Sequence, residues 1–316
     1  MMLTFFFGQS IRPRHAWRLF LAAVIALFTL GHVFAQDWPS TEHRAYWVQG
    51  KGEITRYKLT QSRYGELHSG DAVLIFVSEP FSRSKQVKLD DWEHAGSDAV
   101  EVLKLNFTKK FLTGIYPYSF MFSSFTPADG APTLKTSMAG QEWCGDVFSQ
   151  LNLRGDHFDT VGFSYFESEG DTHKQLPAHF LEDELWARIR LTPTKLPTGE
   201  LEIIPGSFIS RLAHVPLKPE RVKASYFEPD SARFDAAKIQ GYRMEFQTGY
   251  NRTLDIYFER AFPHGIVAWD DTYSEFGGRR LTTTAERTKT ILLDYWKHHK
   301  NSDRELRKEL DLPVDY

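Results

Sequence analysis

The sequence predicts a mainly β protein, an antiparallel meander that forms a curved sheet or open barrel, with one mid-chain helix and a C-terminal helix. From Arg44 to Phe166, segments of alternating apolar and polar residues follow one another with turn residues between them. Aromatic residues make up 15% of the chain, and they favour half-buried pleated surfaces. A chain of 316 residues that is 41% hydrophobic is also long enough to bury a large core.

Residues 1–35 are predicted to be a secretory signal peptide. Three arginines precede an uncharged apolar run from Leu19 to Leu30, and the slender or small residues Val33 and Ala35 follow it. The run is shorter than the roughly 20 residues that a membrane-spanning helix needs, so cleavage after Ala35 is favoured over an anchor. The mature chain is therefore expected to be periplasmic or secreted and to have no transmembrane span.

Charge and cysteine content exclude two classes of protein. The predicted leader takes three of the 38 Lys and Arg and none of the 41 Asp and Glu, which leaves 35 cations against 41 anions and a formal charge of −6. A mildly acidic chain without a basic patch is not expected to bind nucleic acid. With one cysteine, the chain cannot form an internal disulfide, so its stability must come from packing.

The first half of the mature chain is predicted to consist of strands in succession. Ser69-Gly70-Asp71 has the composition of a hairpin turn, and 127–130 and 154–156 are further turn clusters. The predicted strands are 52–59, 64–81, 99–107, 114–125, segments within 133–153, and 157–168.

A helix is predicted over 177–191, where Phe180, Leu181, Leu185, Trp186 and Ile189 recur at helical spacing after Pro177. Strands are then predicted at 200–210, 221–229, 238–249, 252–260 and 265–275. The segment 284–301 fits an amphipathic helix, and Asp303 is expected to cap a short final helix. Residues 36–316 are interpreted as one large β-rich domain, which could comprise two halves, 41–176 and 199–316, joined by the helix 177–191.

The only cysteine, Cys144, lies in the stretch QEWCGD, residues 141–146. It could be a buried structural residue, line a ligand site or act as a nucleophile. A catalytic thiol needs a base or cation that lowers its pKa. Alternation along a predicted strand instead places Cys144 on the same face as Glu142 and Asp146, whose carboxylates would raise that pKa. The structural role is therefore favoured.

Carboxylates supply the candidates for catalysis. Glu142, Asp146, Asp270 and Asp271 could serve acid–base chemistry if the fold brought two of them together. Phosphate loops, dinucleotide-binding glycines, nucleophile elbows and zinc motifs are missing from the sequence. The acidic loop 167–173 is interpreted as a solvated turn, and neither a metal site nor a cofactor is predicted.

With the segments 52–90 and 141–153 and the leader in view, the chain resembles an exported bacterial family of unknown function over essentially its whole mature length. Some members carry the name septum formation inhibitor, Maf-like. Maf proteins are cytosolic nucleotide pyrophosphatases with an N-terminal serine-proline-arginine-arginine type signature and an α/β fold. The nearest arginine pair here is Arg279-Arg280, so the name is not supported and implies no functional residues. More loosely, the architecture resembles half-open barrels that bind lipids.

The sequence therefore favours a non-enzymatic envelope protein that binds an apolar or amphipathic ligand, such as a lipid, or an envelope partner. A curved aromatic sheet makes a concave apolar pocket. The candidate lining residues are Trp47, Tyr116, Tyr118, Phe120, Phe122, Trp143, Phe163 and Tyr165. The alternatives are a hydrolase acting on envelope glycans or lipids through paired carboxylates, and a scaffold protein without a small ligand. The sequence does not identify protein partners.

Overall fold

The structure is a computed structural model that describes residues 38–247, 250–275 and 278–314. The predicted signal peptide, residues 1–35, lies outside these ranges. The described chain is mainly β, as predicted. Its strands are β1 Gly52–Arg63, β2 Glu66–Ser82, β3 Ala99–Thr113, β4 Tyr116–Pro127, β5 Lys135–Glu142, β6 Gly145–Arg154, β7 His157–Ser164, β8 Thr172–Pro177, β9 Phe180–Leu181, β10 Gly199–Ile204, β11 Glu220–Phe227, β12 Ile239–Phe246, β13 Thr253–Glu259, β14 Ile266–Ser274 and β15 Arg280–Leu293.

All of these strands belong to one open sheet. Its order is β8-β7-β6-β5-β4-β3-β2-β1-β15-β14-β13-β12-β11-β10-β9, so β8 and β9 are its two edges. Neighbouring strands are antiparallel except for β9 and β10, which are parallel. The order differs from a single meander: β1–β8 and β10–β15 each follow chain order, and the pairing of β1 with β15 joins the two runs.

The sheet is strongly curled. Laid flat, its edges would lie about 65 Å apart at the usual strand spacing, yet only residues 178 and 179 separate β8 from β9 in the chain. Three Cα–Cα steps span at most about 11 Å, so the sheet must bend round until its edges approach each other. The rings of Phe107 on β3 and Trp269 on β14, four strands apart, accordingly lie 5.2 Å apart.

Among the described residues, short α-helices lie at three places: α1 Thr41–Trp47, α2 Glu182–Leu191 and α3 Ser207–Leu212. The predicted helix 177–191 thus begins five residues later, because Pro177 ends β8 and Phe180–Leu181 form β9. All but one residue of α2 are buried, since it packs inside the curl against β3 and β4. The predicted strand 200–210 ends at Ile204, and α3 follows. Among the described residues, no helix is both long and apolar enough to cross a bilayer.

The predicted helix over 284–301 is wrong. Residues up to Leu293 continue β15, which pairs with β1 on one side and β14 on the other. The segment contains Ala285, Ile291 and Leu292 at spacings that also fit a helix, but β1 pairs with it up to Leu293 and β14 pairs with it up to Glu286, so strand pairing satisfies its backbone groups. Short 3₁₀ segments follow at Tyr295–Lys297 and Asn301–Leu310, the latter in place of the predicted final helix.

The main core fills the inside of the curl and is dominated by aromatic rings. Phe107 lies with its ring centroid 5.0–5.3 Å from those of Phe122, Trp186, Phe208 and Trp269. These rings come from β4, α2, α3 and β14, so one cluster ties both helices to distant parts of the sheet. A smaller cluster under β6–β8 contains Leu151, Phe158, Leu176, Leu181 and Ile204.

Candidate functional site

Alternating antiparallel connections place the turns β1–β2, β3–β4, β5–β6 and β7–β8 at one end of the sheet, called the hairpin end below. Helix α3 lies at the same end, since the Arg63 guanidinium at the end of β1 donates to the carbonyl of Leu212. A cleft opens here between β6–β8 and the segment formed by α3 and residues 213–217.

The cleft has a volume of about 420 Å³, within the range of small-molecule sites. Most of its wall is apolar, and the polar groups come from α3, β8 and the β7–β8 loop. Its apolar lining consists of Met138, Val147, Phe148, Val161, Phe163, Val215, Pro216 and Leu217. Its charged or titratable lining consists of Glu169, Lys174, Arg211 and His214.

Arg211 organises the charged part of the cleft. Its side chain is buried and forms an ion pair with Glu142, which is equally buried at the end of β5. The guanidinium also lies 3.9 Å from Glu169 and 4.5 Å from the centre of the Phe166 ring. Arg211 is thereby held between two carboxylates and an aromatic face. These contacts fix its guanidinium rigidly in the wall of the cleft.

Glu169 and His214 form a second pair across the cleft. Partial burial alone would raise the pKa of Glu169, but hydrogen bonds from His214 and Ser164 outweigh it, so the pKa lies below the ordinary value. Ser164 Oγ donates over 2.6 Å to the other carboxylate oxygen. The β7–β8 loop is therefore anchored to the residues after α3.

Lys174 on β8 supplies the exposed cation of the cleft. Its ammonium donates to the carbonyl oxygen of Leu217 over 2.8 Å, which ties the edge strand to the segment after α3. Partial burial lowers the pKa of Lys174. An ammonium has three donors, so protons remain that can meet an anionic group at the mouth.

A second cluster of charges lies deeper, inside the curl. Arg252 is buried and binds both Glu182 of α2 and Asp271 of β14, with the shortest N–O distances at 2.6 and 2.7 Å. Lys109 of β3 is also buried, with its ammonium 4.9 Å from the ring of Phe208. Burial lowers the pKa of Lys109 to about 8, although Asp271 opposes the shift. The enclosed space beside these groups is about 20 Å³, which suits a water molecule rather than an organic ligand.

Asp183 joins this cluster to α3. Its carboxylate accepts hydrogen bonds from the backbone N–H of Ser207, at 3.1 Å, and from the Ser207 hydroxyl. Burial, reinforced by the charge of Glu182, raises the pKa of Asp183 to about 7 despite these bonds. Glu182 accepts from the N–H of Gly206 over 2.8 Å, so the start of α3 is held by two acidic residues of α2.

The free energy of unfolding is expected to depend on pH through Asp183. Between its ordinary pKa of 3.8 and about pH 7, the folded protein keeps a proton that the unfolded chain has lost. The contribution of Asp183 to the free energy of unfolding therefore falls as the pH rises through this window. We expect Asp183→Asn, which cannot ionise, to gain roughly 2–4 kcal/mol relative to the unmodified protein between pH 4 and pH 7.5. Urea unfolding of both proteins across this range measures the difference, and parallel profiles would contradict the expectation.

Cys144 is not a core residue. It is exposed in the two-residue turn, 143–144, that joins β5 to β6, where Glu142 pairs with Gly145. The alternation that suggested a structural role breaks at this turn.

The four candidate carboxylates do not converge. Asp270 and Asp271 are consecutive on β14 and therefore face opposite sides of the sheet. Asp271 binds Arg252 inside, whereas Asp270 binds Arg233 over 2.6 Å on the outer face. Glu142 is paired with Arg211, which lines the cleft. Asp146 is exposed at the start of β6.

The eight candidate lining aromatics divide into two groups. Trp47, Tyr118, Phe120 and Phe122 are buried in the main core, and Tyr116 packs against its edge. Trp143, Phe163 and Tyr165 are exposed at the hairpin end. Phe163 alone among the eight lines the cleft.

Several residues of the site were not predicted from the sequence. Arg211, Lys174 and Lys109 belong to no recognisable sequence motif, and only the fold brings them beside the groups that they contact. The run Glu182-Asp183-Glu184 offered one signal, because three consecutive acids stand next to the apolar residues of the predicted helix. Such a run is usually solvated at a helix N-terminus, whereas here all three side chains are buried.

Among the described residues, no group of three or more His, Cys, Asp or Glu side chains is arranged to hold a metal ion. No protein-family model matches the chain, and no curated protein matches it. A solved structure similar to this chain is the crystal structure of a β-barrel-like protein of a domain of unknown function, DUF1849, from Brucella abortus. The match covers 77% of this chain and 98% of that chain, with 10% sequence identity and a TM-score of 0.46.

Proposed function

We propose that the protein is an exported, non-enzymatic binding protein whose cleft takes an amphipathic ligand with one anionic end. The observation that carries this proposal is the cleft of about 420 Å³ with an apolar wall and a cationic edge. An apolar cavity with a few placed polar groups is the usual form of a small-molecule site.

The aromatic pair and the lysine that line the cleft suggest how such a ligand lies. Phe148 and Phe163 have their ring centroids 6.5 Å apart and nearly parallel planes, and both remain exposed. Covering them with an acyl chain removes apolar surface from water, which favours binding. Lys174 stands at the same cleft and is placed to meet a carboxylate or phosphate.

The hydrolase alternative receives less support. Among the described residues, Glu142, Asp270 and Asp271 each bind an arginine, and Asp146 lies at the surface. A pair of glycosidase carboxylates must flank one bond at a defined separation, and the two carboxylates on β14 face away from each other. A binding protein needs no such pair.

The first test is binding of a fluorescent fatty acid, dansyl-undecanoic acid, to the chain beginning at Gln36. We expect saturable binding that Val161→Trp weakens at least tenfold, because the indole fills the apolar part of the cleft. Lys174→Gln is expected to weaken binding three- to tenfold by removing the cation.

Lys223→Gln is the matched control, since Lys223 is exposed on β11 and does not line the cleft; its affinity should equal that of the unmodified protein. Native mass spectrometry with lipid extraction of gently purified protein provides an independent measurement. Absence of both a co-purifying lipid and probe binding would refute the proposal. Equal affinities for Val161→Trp and the unmodified protein would place the ligand elsewhere.

A further inference from the structure

Exposed apolar side chains are concentrated at the hairpin end of the sheet. Among the described residues, eight of the fourteen large apolar side chains that are exposed lie in or within four residues of its four turns. Scattered exposed apolar residues need no explanation, whereas a contiguous group marks a contact surface. Two of the eight, Phe148 and Phe163, line the cleft. The other six, called the rim below, are Tyr64, Leu67, Leu112, Ile115, Trp143 and Tyr165.

The rim residues are linked across successive hairpins. The hydroxyl of Tyr64 lies 3.0 Å from that of Tyr116, whose ring lies 6.0 Å from that of Trp143 in a stacked arrangement. On the other side of the β5–β6 turn, the ring of Tyr165 covers Gly145. A Cβ at that glycine would come within 2.6 Å of the ring, and its φ of +153° also favours glycine. The turns therefore present one continuous aromatic edge.

The most exposed rim residue lies in an uncharged stretch of the chain. Ile115 is 82% exposed in the β3–β4 turn, and the whole stretch 111–128 around it contains no charged residue. Hairpin turns on a water-exposed surface are ordinarily built from Gly, Asn, Asp and Ser. Glu142, beside the next turn, is directed inward to Arg211. The β3–β4 turn can therefore move from water into an apolar environment without burying an ionised group.

We propose that the rim docks onto the surface of a lipid bilayer. Trp and Tyr favour the headgroup region, where an amphipathic ring meets both water and hydrocarbon, and Ile and Leu favour the acyl boundary below it. Separate turns that each carry one or two apolar side chains suit a fluid surface, which needs no matching shape. The six rim side chains are uncharged, and the exposed Arg279 is engaged with the carbonyl of Gly65 in the β1–β2 turn. Docking is therefore expected to depend mainly on apolar burial and only weakly on anionic lipid.

Docking at this place gives the cleft a source of ligand. Phe163 belongs to the cleft wall and is followed two residues later by Tyr165 of the rim. This consequence rests on the proposed function, but docking itself does not. A bound bilayer would lie next to the cleft mouth, where an amphipathic molecule could pass between the two.

Co-sedimentation with phosphatidylcholine vesicles tests the proposal. The fifteen strands of the described ranges lie within residues 52–293, so the chain beginning at Gln36 retains them and lacks the predicted apolar leader. We expect it to bind vesicles with an affinity that changes less than twofold between 0.1 and 0.5 M NaCl. Ile115→Ser with Trp143→Ser should weaken binding at least tenfold. The matched control is Val87→Ser with Trp92→Ser, two exposed apolar residues in the β2–β3 connection at the other end, which should leave binding unchanged.

Failure of docking can be distinguished from failure of the cleft. Val161→Trp should keep vesicle binding while losing the fatty-acid probe, and the rim double variant should do the reverse. No vesicle binding by the unmodified chain would overturn the proposal, as would equal losses for the two double variants. Loss of a dimer on Ile115→Ser with Trp143→Ser, without vesicle binding, would assign the rim to a second copy of the chain instead.

Discussion

Replacing Arg252 by methionine is expected to lower the free energy of unfolding by about 3–5 kcal/mol. The guanidinium is buried and binds Glu182 and Asp271 together. Methionine fills similar space but leaves two carboxylates inside the curl without their counter-ion. Urea unfolding at pH 7 measures the loss, and the deficit should shrink at pH 5, where the stranded carboxylates can accept protons.

Arg260→Met provides the comparison for Arg252→Met. Arg260 also makes a two-pronged contact, to Glu228 at 2.7 Å, but both groups are near the surface. Its replacement should cost no more than about 1 kcal/mol. Equal effects of the two substitutions would show that the Arg252 cluster is solvated and that α2 does not depend on it.

Trp186→Ala is expected to cost about 3–5 kcal/mol, because it removes the largest side chain that α2 inserts into the core. The indole is 5% exposed and packs edge-on against Phe107 and Trp269, with ring centroids 5.0 and 5.2 Å away. The cavity would open between β3, α2 and β14, where the curl is held together. Thermal and urea unfolding followed by tryptophan-independent far-UV circular dichroism measure the change.

The same substitution at an exposed tryptophan is the control. Trp143 is 66% exposed in the β5–β6 turn, so Trp143→Ala should change the free energy of unfolding by less than about 0.5 kcal/mol. A large loss at Trp143 with a small one at Trp186 would mean that α2 is not packed inside the sheet. The control also shows whether the fold tolerates loss of the Trp143 indole, which the rim double variant also removes.

Much of the strand content was predictable because strand periodicity is local. The alternation over 99–107 predicted β3, and the polar turn residues at 154–156 predicted the break between β6 and β7. Periodicity failed as a guide at 284–301, because the spacing of apolar residues there fits both a helix and a strand. It failed again at Cys144, since alternation does not show where a hairpin turns.

The candidate site was less predictable, because its contacts join residues far apart in the chain. Arg211 and Glu142 are 69 residues apart, and Arg252 and Glu182 are 70 apart. The carboxylates Glu142 and Asp271 could be named as functional candidates from residue type alone. In the structure, each of them binds a buried arginine and so stabilises the fold. This role depends on neighbours that the strand order supplies.

The sequence by itself determined that this chain is mainly β, because side-chain alternation and turn composition act between neighbouring residues. The tertiary structure decided the rest: β1 pairs with β15, the sheet curls, and α2 enters it with three acids buried. It also decided that the cleft lies between β6–β8 and α3, and that four turns at the same end carry the rim. These outcomes depend on strand pairing and burial across the whole chain. The environment of each side chain is set by residues distant in the sequence and not by its own identity.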